Sequence, residues 1–543
     1  MTSVLAPSEH QERLAELGLV DVLVIAPAGC GKTQALATRA GAVCDRGDVS
    51  PPRKVLAVTF SNKAKENLAS RMRAVIGPGW RERVTVTNFH GIAGRLLRAH
   101  GDQIGVARDV VFPEKAWLGR VRTSLGITYK NGEPFDAALR RAKRDPIDDD
   151  EVMDRLIALG HPEAIEFEQR LREESRLDYD DLLRHAARLL AVPDVVRLYR
   201  AHFGMVMVDE VQDLTMMQLE MVQALGGDHV TYAGDPAQGI YSFAGAQPDA
   251  VFAAIRARDP EVIEFDESYR SSPAVLDAVN VLADQLGSTR LRCADPDRWP
   301  DQGHVVMLKR PTTSEEANAL ADAVERILAR HEGASIGVVV RRQTRLTDFK
   351  QILADRELNF EDWGAPTHVP KVVELLKRFV RQATAADVPA SDQLDLLEVT
   401  CRAQLEESDA AGLDEVNAAC DALRALVDGG LTLEDAVATC RAAPATDKPV
   451  TPGLHLLTGH VGKGQEFDWV VVLGLEDGQI PDFRAEEAEA LAEELRVLHV
   501  MVSRARYGLV LTYAASTTNS YGSWSAEPCR WLPLLEGVGT ATR

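Results

Sequence analysis

The feature that most limits what this chain can fold into lies between Asp21 and Thr33. Four apolar residues, Val22-Leu-Val-Ile25, run into the small-residue loop Ala26-Pro27-Ala28-Gly29-Cys30-Gly31 and then into Lys32-Thr33. The apolar run is too short for a helix and reads as a buried strand, while Gln34-Ala-Leu-Ala37 opens a helix. Strand, loop and helix in this order imply an α/β sheet with a phosphate-binding loop at a strand end. Loop glycines turn backbone N–H groups onto phosphate oxygens, and the helix N-terminus adds its positive dipole end. Residues 26 to 34 are therefore expected to wrap a nucleoside triphosphate, with Lys32 reaching the β/γ-phosphates and Thr33 ligating Mg²⁺.

Such a loop needs a second strand end that carries acid. Gly204-Met-Val-Met-Val208 supplies the strand and Asp209-Glu210 the carboxylates, Asp209 for Mg²⁺ and Glu210 to orient or deprotonate the attacking water. Between Lys32 and Asp209 lie 176 residues, too many for one crossover, so further material must be inserted there. Two more strand-like runs, from Lys54 and from Val84, end in Thr59-Phe60 and in Asn88-Phe89-His90. They place Phe60 and Phe89 at strand C-termini, the usual ligand edge of a parallel sheet, although core packing is the plainer alternative for either ring.

At 543 residues the length predicts roughly three to four domains. The composition, 45% apolar and 26% charged, is globular. No 18-residue apolar run and no signal-peptide pattern are present, so a soluble, cytoplasmic protein without membrane contact is expected. Seven scattered cysteines with no C-x-x-C pair point to reduced thiols, not to a disulfide framework or metal ribbon. The net charge of −21 argues on its face against nucleic acid, but much of it is local: residues 382–448 hold fourteen acids against three arginines and one lysine, about −10.

The motif order resembles the superfamily 1 helicases of the UvrD/Rep/PcrA type along nearly the whole chain. Thr59 to Met72 resembles motif Ia and Thr87 to Arg98 motif Ib. Leu177 to Leu183 resembles the segment before motif II, and Asp209-Glu-Val-Gln-Asp213 resembles motif II itself. Gly234 to Ala246, Glu267 to Ser271, Thr458 to Phe467 and Val502 to Arg506 resemble motifs III, IV, V and VI. Ala26 at the first loop position also occurs in the family. Departures are Ala244 for a common Arg, Gln343 for a frequent Asn and His499 for a common aromatic.

The resemblance implies two RecA-like lobes, each a parallel sheet flanked by helices, with two mostly helical insertions. Lobe 1A is expected at 1–100 and 177–265, insertion 1B at 101–176, lobe 2A at 266–381 and 449–543, and a short acidic form of 2B at 382–448. It assigns Gln11 and Tyr269 to the adenine, Glu466 to the ribose, Gln238 to sensing the γ-phosphate, and Arg270 and Arg504 as built-in arginine fingers. It places Thr59, Phe60, Asn62, Phe89, His90, Tyr241 and Phe243 along single-stranded DNA on the first lobe, with Arg341, Gln343 and His460 on the second.

The implied activity is ATP- and Mg²⁺-dependent 3′-to-5′ translocation on single-stranded DNA or a 3′-tailed duplex, serving repair or recombination. The protein would be a monomer or weak dimer, with a protein partner conceivable on the acidic insert. The alternatives are an accessory ATPase that senses DNA ends or regulates a separate nuclease, and an idle binding module, which the intact Lys32, Asp209, Glu210, Arg270 and Arg504 disfavour. Too little chain follows Arg506 to hold a fused nuclease.

Overall fold

The computed structural model describes the chain apart from residues 1–6, 108–109, 128–131, 243–244, 364–366, 369, 386–387, 403, 405–415, 417–418, 421–422, 425–426, 428–431, 443–449, 520–521, 539–540 and 543. It divides into two compact units, Met1–His304 with Ala485–Ser503, and Val305–Arg484 with Arg504–Arg543. Each is built on a sheet with helices packed against it, the architecture expected of RecA-like lobes.

The first sheet has β1 (Val22–Ile25), β2 (Lys54–Thr59), β3 (Val84–Asn88), β4 (Phe203–Asp209), β5 (Val230–Gly234) and β6 (Glu261–Glu264) in the order β3-β2-β4-β5-β1-β6. Every neighbouring pair is parallel. β1, β4 and β5 are buried along their length, which is why they read as unbroken apolar runs. Ile25 pairs with Gly234 and Asp209 with Ala233, so the C-terminal ends of β4, β5 and β1 lie side by side. The phosphate loop, Asp209-Glu210 and Asp235 therefore emerge on one edge.

Insertion 101–176 is helical as expected. Helices Lys115–Ser124, Gly132–Lys143, Asp149–Leu159 and Pro162–Glu173 share a core of Trp117, Phe135, Leu156 and Phe167. The acidic run from Asp145 to Glu151 starts a helix: Asp148 caps it, and Asp149, Asp150 and Glu151 fill its first turn, where carboxylates favour the dipole.

The second sheet orders strands Phe360–Asp362, Gly453–Thr458, Ser335–Val340, Phe467–Val472, Ala505–Asn519, His304–Thr312 and Ala541–Thr542, with Gly522–Ser525 antiparallel to Ala505–Asn519. Its centre, Ser335–Val340 between Gly453–Thr458 and Phe467–Val472, is parallel.

Three boundaries differ from the sequence expectation. The first unit continues past residue 265 to His304, because Tyr269 N–H donates to the Gly29 carbonyl and Arg292 N–H to that of Asp266. Residues Ala485–Ser503 also belong to the first unit, although they lie between strands of the second sheet in sequence. Their helix Ala488–Val502 packs on helix Pro273–Gln285 and on the turn Pro236–Gln238.

The acidic insertion likewise begins before residue 382. Helix Pro370–Thr384 turns its stripe of Val372, Val373, Leu376, Val380 and Ala383 into a core with Leu394, Leu397, Leu423 and Val437. Thr367–His368 and Arg441–Ala442 pair in parallel where the chain enters and leaves this module. Cys401, Cys420 and Cys440 lie in that core, and burial holds the Cys401 and Cys440 thiols up at about 11. Between 382 and 448 the mostly helical insertion shows helices Ala390–Arg402 and Leu433–Thr439; much of the remainder lies outside the described residues. The added helix brings Lys371, Lys377, Arg378 and Arg381 against a single acid, Glu374, so the module is less negative than the segment 382–448 alone.

Candidate nucleotide and nucleic-acid site

The helix Lys32–Asp45 opens at Gly31 with no side-chain cap and no acid in its first turn, which leaves its N-terminal N–H groups for an anion. Gly29 and Gly31 hold φ of +87° and +75°, a region costly for other residues. A Cβ on Gly29 would stand 2.7 Å from Arg270 Cβ and 2.9 Å from Ser268 Oγ. The loop is thus shaped by contact with the Glu267–Ser271 segment.

Lys32 Nζ lies 3.0 Å from Asp209 Oδ1 and 2.7 Å from Glu210 Oε1. Burial pushes its ammonium toward deprotonation, but the two carboxylates outweigh that and raise its pKa above the ordinary value. Asp209 is pushed up by burial and by Glu210, against the pull of Lys32. A cation already shared by two carboxylates beside an uncapped helix start is the environment that a magnesium–triphosphate fits. A bound triphosphate would compete for the ammonium, and a magnesium ion on these acids would supply charge neutralisation. Thr33 and Asp209 are the residues that would hold the ion.

Gln11 is buried, with Nε2 donating to the Cys30 carbonyl at 3.0 Å, while its Oε1 accepts the Ser8 N–H and its own N–H donates to Ser8 Oγ in a capping box. An ideal Cβ on Gly31 would meet Gln11 Nε2 at 2.8 Å and Tyr269 Cδ2 at 3.9 Å, so Gln11 and Tyr269 flank the same loop residue. Arg270 reaches the Ser503 carbonyl through Nη1 at 3.3 Å. Ser268, which the sequence reading passed over, accepts N–H groups of Arg270 and Ser271 on its buried Oγ and so sets the direction of the arginine.

Motif II holds a second residue that sequence reasoning missed. Gln212 is fully buried, donates from Nε2 to Glu210 Oε2 and accepts the Asp235 N–H at 3.0 Å. Asp235 in turn accepts Gln238 Nε2 at 2.7 Å. The signal that could have found it is a polar residue in a segment otherwise buried.

Among the expected strand contacts, Phe60 is exposed and its ring stacks on Tyr241 at 6.1 Å and 12°. Exposed Asn62 accepts from Asn88 Nδ2 at 3.0 Å, and half-buried His90 meets the edge of Tyr179 at 5.5 Å. Burial lowers the pKa of His90 and keeps its imidazole neutral near pH 7. Two expectations are corrected. Phe89 lies in the first sheet's core beside Leu56 and Leu96, and Thr59 is buried with its hydroxyl donating to the Ser61 carbonyl, so neither side chain faces a strand. Phe243 and Ala244 lie outside the described residues.

In the second unit, Arg341 and Gln343 follow strand Ser335–Val340 and His460 follows Gly453–Thr458, all half-buried at strand C-termini. Glu466 is exposed. Arg504 is buried, with its carbonyl accepting the Phe467 N–H. Among the described residues no group of three or more His, Cys, Asp or Glu side chains is placed to hold a metal ion, and no helix there is long and apolar enough to cross a membrane.

Residues 8–257 match the UvrD/REP helicase N-terminal domain, and residues 441–516 the UvrD-like helicase C-terminal domain. The chain is 28% identical to the ATP-dependent DNA helicase UvrD2 of Mycobacterium tuberculosis and of Mycobacterium bovis, over 99% of its own length and 83% of theirs. It is 30% identical to the ATP-dependent DNA helicase PcrA of Staphylococcus aureus, over 48% of its length and 37% of that protein's.

Proposed function

The chain belongs to the UvrD/Rep helicase family, its two domain matches together spanning more than half of it, and from that membership we propose an ATP-dependent DNA helicase that translocates 3′ to 5′ on single-stranded DNA. The observation that carries the reading is the continuity of one loop. Gln238, hydrogen-bonded through Asp235, stands three residues before Tyr241, whose ring stacks on exposed Phe60. A group placed to feel the triphosphate is thereby tied to rings that stack on bases of any identity.

In the proposed cycle the triphosphate takes the Lys32 ammonium from the carboxylates, which frees Glu210 to orient water. Water attacks the γ-phosphorus, the bond to the β–γ bridging oxygen breaks, and Glu210 takes the proton, leaving ADP and phosphate. Magnesium held by Thr33 and Asp209 supplies charge neutralisation on the phosphates. Arg270 would meet the charge that develops on the transferred group, and Gln11 and Tyr269 the adenine.

The test compares ATPase with and without single-stranded DNA, and strand displacement on 3′-tailed against 5′-tailed duplexes. Strong DNA stimulation and displacement only from the 3′ tail are expected. Equal turnover without DNA would remove the coupling, and displacement from the 5′ tail would reverse the polarity. The small size of the acidic module favours a second reading, an ATPase that gates a separate nuclease. Translocation without any unwinding would support it.

A further inference from the structure

Resting on the functional reading above, we propose that Gln212 is the positioning residue through which the state of Glu210 is passed to the strand-contacting loop. Its carboxamide is the middle of an unbroken relay within the first unit. Nε2 donates to Glu210, Oε1 accepts the Asp235 N–H at 3.0 Å, and Asp235 Oδ2 accepts Gln238 Nε2 at 2.7 Å. Asp235 Oδ1 also accepts the Ala237 N–H at 3.0 Å and so shapes the turn Pro236–Gln238 that leads to Tyr241.

Three further observations show how closely the relay is built. Gln212, Asp235 and Gln238 are all buried, so their hydrogen bonds have little water to exchange with, and losing one strands its partner. Gly234 is needed for the approach: a Cβ there would lie 2.5 Å from Gln212 Oε1 and 2.6 Å from Val211 Cγ2. Glu210 itself sits at φ +61° and ψ +48°, a conformation rare for a non-glycine residue, and strain of this kind persists where the surroundings over-determine it.

One carboxylate therefore has two competing partners. Lys32 holds one oxygen of Glu210 and Gln212 the other. When phosphate draws Lys32 away, the remaining hydrogen bond from Gln212 governs where Glu210 turns, and any shift it makes is felt at the Asp235 N–H. In the other direction, a base arriving at the Tyr241 loop moves Asp235 and, through Gln212, aligns the base for hydrolysis. Helix Ala488–Val502 packs on the same turn and runs on to Ser503, whose carbonyl holds Arg270, so the turn also meets the element that carries an arginine of the site.

The experiment replaces Gln212 by Met, which keeps the length and loses both hydrogen bonds, and by Glu, which keeps an acceptor for Asp235 and loses the donor to Glu210. kcat and KM for ATP are measured with and without saturating oligo(dT), alongside thermal melting. In Gln212→Met the DNA stimulation of kcat should fall about tenfold, within the usual range of coupling between sites, while KM for ATP stays within about twofold. Gln212→Glu, which sets a second carboxyl against Glu210 and lowers the melting temperature, should lose stimulation to a similar degree when assayed below its melting transition. Equal loss of the DNA-free and DNA-stimulated rates would reduce Gln212 to a local support for Glu210 and overturn the relay, as would unchanged stimulation. If Gln212→Met does not fold, the ratio in Gln212→Glu decides between the same two results. A wild-type enzyme that DNA does not stimulate would instead sink the functional reading.

Discussion

Two lysines in the first unit sit among carboxylates, and they do opposite work. Lys32 holds Asp209 and Glu210 at the mouth of the phosphate loop, with 11% of its side chain exposed and Glu210 30% exposed. Lys143, with none of its side chain exposed, meets Glu168 at 2.7 Å, Asp178 at 2.8 Å and Asp181 at 2.9 Å. Both are held charged by their acids against the pull of burial. The difference is access. At Lys32 a phosphate or a metal can enter and exchange partners, so the pair can switch; at Lys143 the ammonium is closed off from solvent, so the cluster acts as a latch. It ties helices Gly132–Lys143 and Pro162–Glu173 of the insertion to helix Tyr179–Leu190, whose capping box is made by Asp178 and Asp181 themselves.

The largest expected effect separates the two outright. Lys143→Met removes the cation shared by Glu168, Asp178 and Asp181, leaving Asp181 to Arg184 at 2.9 Å and Glu168 to Arg172 at 3.8 Å, and should cost about 3–5 kcal/mol of stability, read by denaturant unfolding. A loss below about 1 kcal/mol would mean the latch is solvated after all. Lys32→Ala should do the reverse, lowering kcat by two to three orders of magnitude, roughly 2.7–4 kcal/mol of barrier, with strand binding and melting close to the wild type. Loss of folding in that variant would make the phosphate-loop pair structural as well, and the contrast would fail.

A smaller effect is expected at the aromatic pair. Tyr241→Ala should weaken single-stranded DNA binding by about 1–3 kcal/mol with stability nearly unchanged, as measured by fluorescence anisotropy, because each stacked base contributes on that order. Phe89→Ala should instead destabilise the fold, which would distinguish a stacking ring from a core ring of the same residue type.

The pH response of His185, on the helix that carries Asp181, sharpens the comparison further. Burial, then Arg184, hold the His185 imidazole down at about 4, below its ordinary value near 6.5. Its contribution to stability is therefore complete above pH 6.5 and is lost as pH falls toward 4, since the unfolded chain takes up the proton first. The stability advantage of the wild type over His185→Gln should therefore shrink from pH 7 to pH 5, as read by denaturant unfolding at each pH. The smallest effect belongs to the acidic module. Replacing residues 370–442, the bounds set by its core, with a short linker should leave DNA-stimulated ATPase intact. A tenfold loss of DNA affinity, about 1.4 kcal/mol, would instead assign the exposed Lys377, Arg378 and Arg381 to phosphate contacts.

What the sequence by itself determined is local and ordered. The apolar strand before Gly29, the acids after β4 and the succession of motifs were legible because each depends on residues adjacent in the chain. The parallel α/β class follows from them. Tertiary structure alone decided which of two like residues faces outward. Phe60 and Phe89 both end a strand, yet one opens helix Phe89–His100 with its ring inside the core, whereas the other stands in the exposed turn before helix Asn62–Ile76. It also decided the partners of Lys143, which lie 25 to 38 residues away, and of Gln212, whose acceptor Glu210 is near but whose donor Asp235 follows the end of β5. The reason is physical. Periodicity and turn chemistry record what a residue needs from its own element, while burial and ion pairing depend on which elements the fold brings against it.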